Sequence, residues 1–253
     1  MKTLVFAGRN FRELLRDPLS YIFCLGFPVI MLTVMTIINK SIPPEANMTI
    51  FSIENLSSGI SVFGMTFVML FTALQISKDR CGAFLTRLYA SPMKPYEFII
   101  GYTIPIMIIA VVQCFITYTA SYIISLIIGN AISISGIFIS SLVLIPSEIM
   151  FIGFGLLFGS IFNDKSAPAL CSILISLSCI LGGIWLDVES LSGGLKKICQ
   201  VLPFWHAVRT GRMSLNNTYD GFGESMLIVC IYAVVIYLVS ITVFRIKMKN
   251  DQK

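Results

Sequence analysis

Few residues of this 253-residue chain could do chemistry, and their types exclude more than they permit. His206 is the single histidine, so no HExxH helix can hold zinc and no imidazole within an apolar run can activate a serine. Seven cysteines (Cys24, Cys81, Cys114, Cys171, Cys179, Cys199, Cys230) contain no CxxC and are odd in number, which fits small buried residues better than a disulfide framework or a metal site. No GxxxxGK[ST] loop occurs, so the chain has no such cradle for nucleotide phosphates; if its work is driven by ATP, the motor is another polypeptide. One acid remains in an otherwise apolar run, Glu148 of Ile145-Pro146-Ser147-Glu148. A charge at that depth in a membrane is costly, so Glu148 must face the bundle interior, a partner or a wet cavity, or carry a proton. It reads either as a kinked polar point in a translocation path or dimer interface, with Pro146 freeing a carbonyl one turn back, or as a neutral acid satisfied locally.

The elements that position these groups follow from composition. With 56% apolar and 12% charged residues the chain departs from soluble domains, which carry about 25% charged residues. Several apolar runs approach 20 residues, enough to cross a hydrocarbon core of about 30 Å. The expected fold is an all-α membrane protein, a single domain over 1–253, with six transmembrane helices near 19–38, 60–76, 98–128, 132–162, 168–185 and 225–244. Gly129-Asn130 is the turn between the third and fourth. Thirteen of the eighteen Lys and Arg then fall on the side of both termini, and the positive-inside rule makes that side the cytoplasm of a cell membrane. The net charge of +5 therefore reads as an orientation signal and not as a nucleic-acid surface.

Ahead of the first span, Leu4, Ala7, Phe11 and Leu15 mark one helix face, and Lys2, Arg9, Arg12 and Arg16 another, as in a helix lying among lipid headgroups. A basic tail is the alternative. The three arginines interrupt any signal-like apolar run, so no cleaved leader is expected. Within the fourth span, Gly155 and Gly159 form a GxxxG pair that admits close helix approach, for packing or to line a substrate path. Between the last two spans, Leu191, Leu195, Ile198, Val201 and Leu202 recur at helical spacing before Pro203, and Trp185, Phe204 and Trp205 suit a membrane interface. Sequons at Asn47, Asn55 and Asn216 fall outside in this topology.

The most patterned segment is the polar island Ser77–Glu97 between the second and third spans, with Lys78, Arg80, Arg87 and Lys94. Read as helical from Asp79 to Ala90, it lines up Phe84, Leu85, Leu88 and Tyr89, and Ser91-Pro92 stops it. The run Asp79-Arg80-Cys81-Gly82-Ala83-Phe84-Leu85-Thr86-Arg87-Leu88-Tyr89-Ala90-Ser91-Pro92 resembles the cytoplasmic segment of the type-2 membrane permeases of ABC exporters. The region from Gly182-Gly183-Ile184-Trp185 to Leu202-Pro203-Phe204-Trp205 is similar to that family's outer hairpin. Cys81 stands where the family more often has a polar or small residue.

That resemblance implies a coupling helix over Asp79–Pro92 that seats on an ATPase, with Phe84, Leu85 and Leu88 as anchors, Arg80 and Arg87 as rim, and Gly82, Ser91 and Pro92 as part of the motif. Arg9, Phe11, Arg12 and Arg16 of the interfacial helix would brace the contact. It also implies two copies of an ATP-binding subunit, a second permease as homodimer or heterodimer, no cofactor in this chain with ATP and Mg on the partner, and export of an amphipathic drug, antibiotic or peptide. Alternatives are a lipid or lipid-linked glycan exporter of the same family, or a motor-independent secondary transporter or channel, for which a single membrane acid and no internal repeat give thin provision.

Overall fold

A computed structural model describes residues 2–43, 49–82, 84, 93–129 and 132–250, the side chains of 248–250 excepted. Among them every regular element is helical. In chain order these are α1 (Lys2–Leu15), α2 (Pro18–Ser41), α3 (Ile53–Cys81), α4 (Pro95–Ile128), α5 (Ile134–Val143), α6 (Ile145–Ile161), α7 (Ser166–Leu181), α8 (Gly194–Val201), α9 (Pro203–Leu215) and α10 (Phe222–Asn250).

Helix starts follow local chemistry. Asp17 caps α2, accepting from the Leu19 amide at 3.1 Å and the Ser20 hydroxyl at 2.8 Å, and Pro18 occupies the first turn, where its missing N–H costs nothing. α2 passes through a π segment at Ile22–Gly26. The Glu97 carboxylate takes the Lys94 amide at 2.6 Å to open α4, which ends at Gly129 in the left-handed region (φ 91°). Pro146 breaks the expected fourth span at Leu144, so that span is two helices, α5 and α6.

Among the described residues, five helical stretches are long and apolar enough to cross a membrane: Pro18–Ser41, Ile53–Cys81, Pro95–Ile128, Ile134–Ile161 and Phe222–Lys247. The fifth expected span, α7, has 16 helical residues, about 24 Å at 1.5 Å per residue, and falls short of that criterion.

α3 is the central helix. Its apolar window is 72% buried, against 22% for α2 and 28% for α10, which lie at the periphery. α3 and α6 run side by side in the same direction, with Gly155 against Met69 and Thr72 and Gly159 against Ala73 and Ile76. A Cβ at Gly155 would lie 2.5 Å from the Met69 carbonyl oxygen, and one at Gly159 2.7 Å from that of Ala73, so only glycine permits this backbone approach. Both glycines thus face α3 of the same chain. α6 meets α10 on another face, where Ser240 donates to the Gly153 carbonyl at 3.0 Å.

Candidate functional site

α3 does not stop where the sequence reading begins a separate helix. It runs through Asp79 and Arg80 to Cys81 and ends at Gly82, whose amide bonds the Lys78 carbonyl at 3.0 Å. Asp79 is therefore a buried group at the end of a span and not the first residue of a separate helix. The negative end of the α3 dipole disfavours a carboxylate there, and two donors offset it. Arg9 of α1 grips it in a fork, Nη1 to Oδ2 at 2.7 Å and Nη2 to Oδ1 at 3.3 Å, and the Tyr102 hydroxyl of α4 donates to Oδ2 at 2.8 Å. Three elements widely separated in sequence meet on one side chain.

The rest of α1 is built around this cluster. Phe6 packs edge-on against Phe98 and Tyr102, with ring centroids 5.6 and 5.0 Å apart, and fills the space a side chain at Gly101 would need. Asn10, fully buried, donates to the Gly101 carbonyl at 3.2 Å. The inward face is Phe6, Ala7, Asn10 and Leu14, which corrects the expected apolar stripe: Leu4 and Leu15 are 67% and 51% exposed and point away from the bundle. Phe11 is half-buried, and Arg12 and Arg16 are exposed. Burial pulls the Arg9 guanidinium down, but its bond to Asp79 and the charges of Asp79 and Glu13 outweigh that and leave it above its ordinary pKa. Glu13, 2.9 Å from Arg9, is raised by burial and by the Asp79 charge.

The Arg9 guanidinium also lies 3.8 Å from the ring centre of Phe84, the described residue just past the end of α3. Arg80 reaches the Gly159 and Ile161 carbonyls at 3.4 and 3.3 Å, placing a cation on the C-terminal end of α6. Leu85, Arg87, Leu88, Ser91 and Pro92 lie outside the described residues. Tyr102, Phe6 and Asn10 were missed in sequence. Their signal was faint: one Gly-Tyr pair at the start of an apolar span, opposite one asparagine in a basic helix.

Residues 1–216 match the ABC-2 type transporter family. The chain belongs to that family. An ABC-2 chain is a membrane permease subunit, not itself an ATPase, and its family normally works with an ATP-binding subunit. Among curated proteins, none matches the chain.

Away from the cluster, the permease interior changes character. Where α3 begins and α4 ends, hydroxyls join the packing: Ser58 and Tyr118 share a bond at 3.1 Å, the Ser214 hydroxyl donates to Ser140 at 3.0 Å, and Gln113 crosses to the Ser61 carbonyl at 3.4 Å while bonding Thr117 of its own helix at 3.1 Å. Glu148 is 1% exposed, and neither carboxyl oxygen has a hydrogen-bond partner among the described residues. Pro146 lies in the same first turn of α6.

The hairpin α8–α9 closes this end. Its break comes at Leu202-Pro203, as the sequence predicts, but Phe204 and Trp205 turn inward, Phe204 against Phe151 and Phe154. Trp185 is half-buried against Phe63, with ring centroids 5.8 Å apart. His206 is structural. Its Nε2 donates to the Gln200 carbonyl at 2.7 Å, so Nδ1 accepts from the Ser225 hydroxyl at 3.1 Å, and Ser225 in turn accepts from Arg209 at 3.2 Å. Burial holds this imidazole below its ordinary pKa, neutral and pinned between the hairpin and α10.

Proposed function

We propose that this chain is the transmembrane half of an ATP-driven exporter, with both termini in the cytoplasm of a cell membrane, moving an amphipathic drug, antibiotic or peptide outward. Two such permeases enclose the path, and two ATP-binding subunits with Mg hydrolyse ATP against the segment that follows α3. Six crossings give this topology. The apolar run of α7 continues through Gly182 and Gly183 to Trp185, which lengthens the short fifth crossing, and the hairpin after it packs beside the start of α3 and the α5 helix.

The observation that carries the reading is the Arg9–Asp79–Tyr102 cluster. A force on the segment beyond Gly82 acts at the end of α3, and this cluster makes α1, α3 and α4 respond together. Arg80 on the end of α6 extends the same unit to a fourth helix. Nucleotide binding that draws two ATPase subunits together can thereby tilt the inner ends as one body, provided the two states differ in ATP affinity. Phe84, Leu85 and Leu88 are the apolar anchors in the ATPase groove and Arg87 a polar rim, with Ser91-Pro92 ending the segment. Arg12 and Arg16, exposed on α1, brace the same contact.

Purification from membranes with its ATPase tests this reading. Co-purification and stimulated ATP hydrolysis, both lost on replacing Leu85 and Leu88 with Asp, are the expected results. Full transport by the permease purified without any ATPase would overturn it.

A further inference from the structure

At the hairpin end, the 3₁₀ turn Thr49–Phe51, the start of α3, residues 187–189 and α9 enclose a cavity of about 350 Å³. That is within the range of about 300–1,000 Å³ typical of small-ligand sites. Its charges are arranged unusually. Two guanidinium groups, Arg209 and Arg212, line it together with three carboxylates, Asp187, Glu189 and Asp220. Yet among the described residues the ion pairs involve only Arg9, so no carboxylate oxygen comes within 4.0 Å of either guanidinium here.

Local bonds hold the opposite charges apart. Arg212 Nε donates to the Asn55 carbonyl at 3.1 Å and Nη2 to the Gly183 carbonyl at 2.9 Å. Arg209 donates to the Ser225 hydroxyl and, at 3.1 Å, to the Asp220 carbonyl, with its guanidinium 4.9 Å from the Trp205 ring centre. Asp187 turns back to accept the Glu189 amide at 3.0 Å. Neutral carbonyls satisfy N–H groups without cancelling charge, so among the described residues neither cation is in direct contact with an anion. Burial lowers Arg212 to about 10, with Asp187 and Glu189 pulling the other way, and it remains cationic at neutral pH. Depth separates the signs: the arginines are half-buried beside buried Trp205 and Val188, whereas Asp187, Glu189 and Asp220 are exposed at the mouth.

A cationic floor, an acidic mouth and an apolar wall make one polarity of guest fit. We propose that this cavity binds a zwitterion of about dipeptide size, its carboxylate on Arg212 and Arg209 and its ammonium group at Asp187 and Glu189. A purely anionic guest meets the acidic mouth, and a purely cationic one meets the arginine floor. Placement of the site on the outer face rests on the topology proposed above, but binding does not, because both faces are open to solution in a nanodisc.

The chain has two tryptophans, so Trp185→Phe leaves Trp205 as the sole reporter in the permease. The probes are the dipeptide Leu-Phe, its N-acetyl form and its C-terminal amide, titrated into the nanodisc-embedded permease. The free dipeptide is expected to shift Trp205 emission saturably, and blocking either end to weaken binding about tenfold or more, the loss of one good ionic contact. Asp187→Asn with Glu189→Gln, both at exposed positions, should abolish the preference for the free amine while Tm stays unchanged. Equal binding of blocked and free dipeptides, or no saturable shift in protein with unchanged Tm, would overturn the proposal.

Discussion

The two ends of this permease interior are built differently. The cytoplasmic end, in the proposed topology, is locked by charge and rings: Arg9 forks onto Asp79, Tyr102 joins it, and Phe6 wedges over Gly101. The hairpin end is filled with hydroxyls, and most bond their own helix. Ser61 gives its proton to the Ser57 carbonyl, Ser121 to Thr117, Ser141 to Ile137, and Thr117 to Gln113. A hydroxyl bonded within its helix keeps that bond when neighbouring helices part. Among the hydroxyl and amide groups, separation at the hairpin end breaks few bonds, chiefly Ser58–Tyr118, Ser140–Ser214 and Gln113 to Ser61, beside those that Arg212 makes to Asn55 and Gly183 and that His206 and Arg209 make to Ser225, whereas separation at the other end strands a buried carboxylate. One end is suited to transmit force and the other to yield to it.

The comparison breaks most severely at the helix pair both ends share. Gly155→Ala with Gly159→Ala drives Cβ atoms into the Met69 and Ala73 carbonyls, and overpacking of this kind costs about 1–3 kcal/mol per site. Thermal unfolding in detergent should show the double variant far less stable than the parent. Next comes the ionic end. Asp79→Asn keeps the shape but weakens three charge-assisted bonds, for a loss of about 1–3 kcal/mol, and Tyr102→Phe should lose about 1 kcal/mol. Both are read from denaturant midpoints. At the hairpin end, Ser58→Ala and Ser140→Ala each remove one interhelical bond, worth roughly 0.6 kcal/mol inside a membrane bundle. Equal losses at the two ends would erase the contrast.

The smallest effect is pH-dependent. His206 is held neutral in the folded chain below its ordinary value of 6.5, so the unfolded chain takes up a proton first as pH falls. Stability should therefore decline as pH drops through 6.5, and His206→Gln should flatten that part of the Tm-versus-pH curve while leaving other carboxylate effects in place.

Much of this was legible in the sequence. The apolar runs, the break at Pro203, the turn at Gly129 and the burial of Glu148 follow from hydropathy and backbone chemistry, whereas Pro146, read as a kink in one span, divides it into two helices. The end of α3 was misread because Asp79-Arg80 look solvated in a one-dimensional pattern; Arg9, 70 residues away, and Tyr102 make that carboxylate tolerable inside. The face of α1 was misread for a similar reason. Periodicity ranks Leu4 and Leu15 with Ala7, but the gap above Gly101 accepts Phe6, and the leucines are left exposed. The length of α7 and the inward turn of Trp205 depend on packing that no single-helix pattern encodes.

The most direct test of the central claim is a charge swap across α1 and α3, with permease-stimulated ATP hydrolysis and transport measured on the reconstituted complex carrying Arg9→Asp, Asp79→Arg, or both. Each single reversal is expected to abolish coupling between hydrolysis and transport, and the double reversal to restore a substantial part of it. Single reversals that leave coupling intact, or a double reversal no better than either in folded protein, would contradict a force-transmitting role for the Arg9–Asp79 pair.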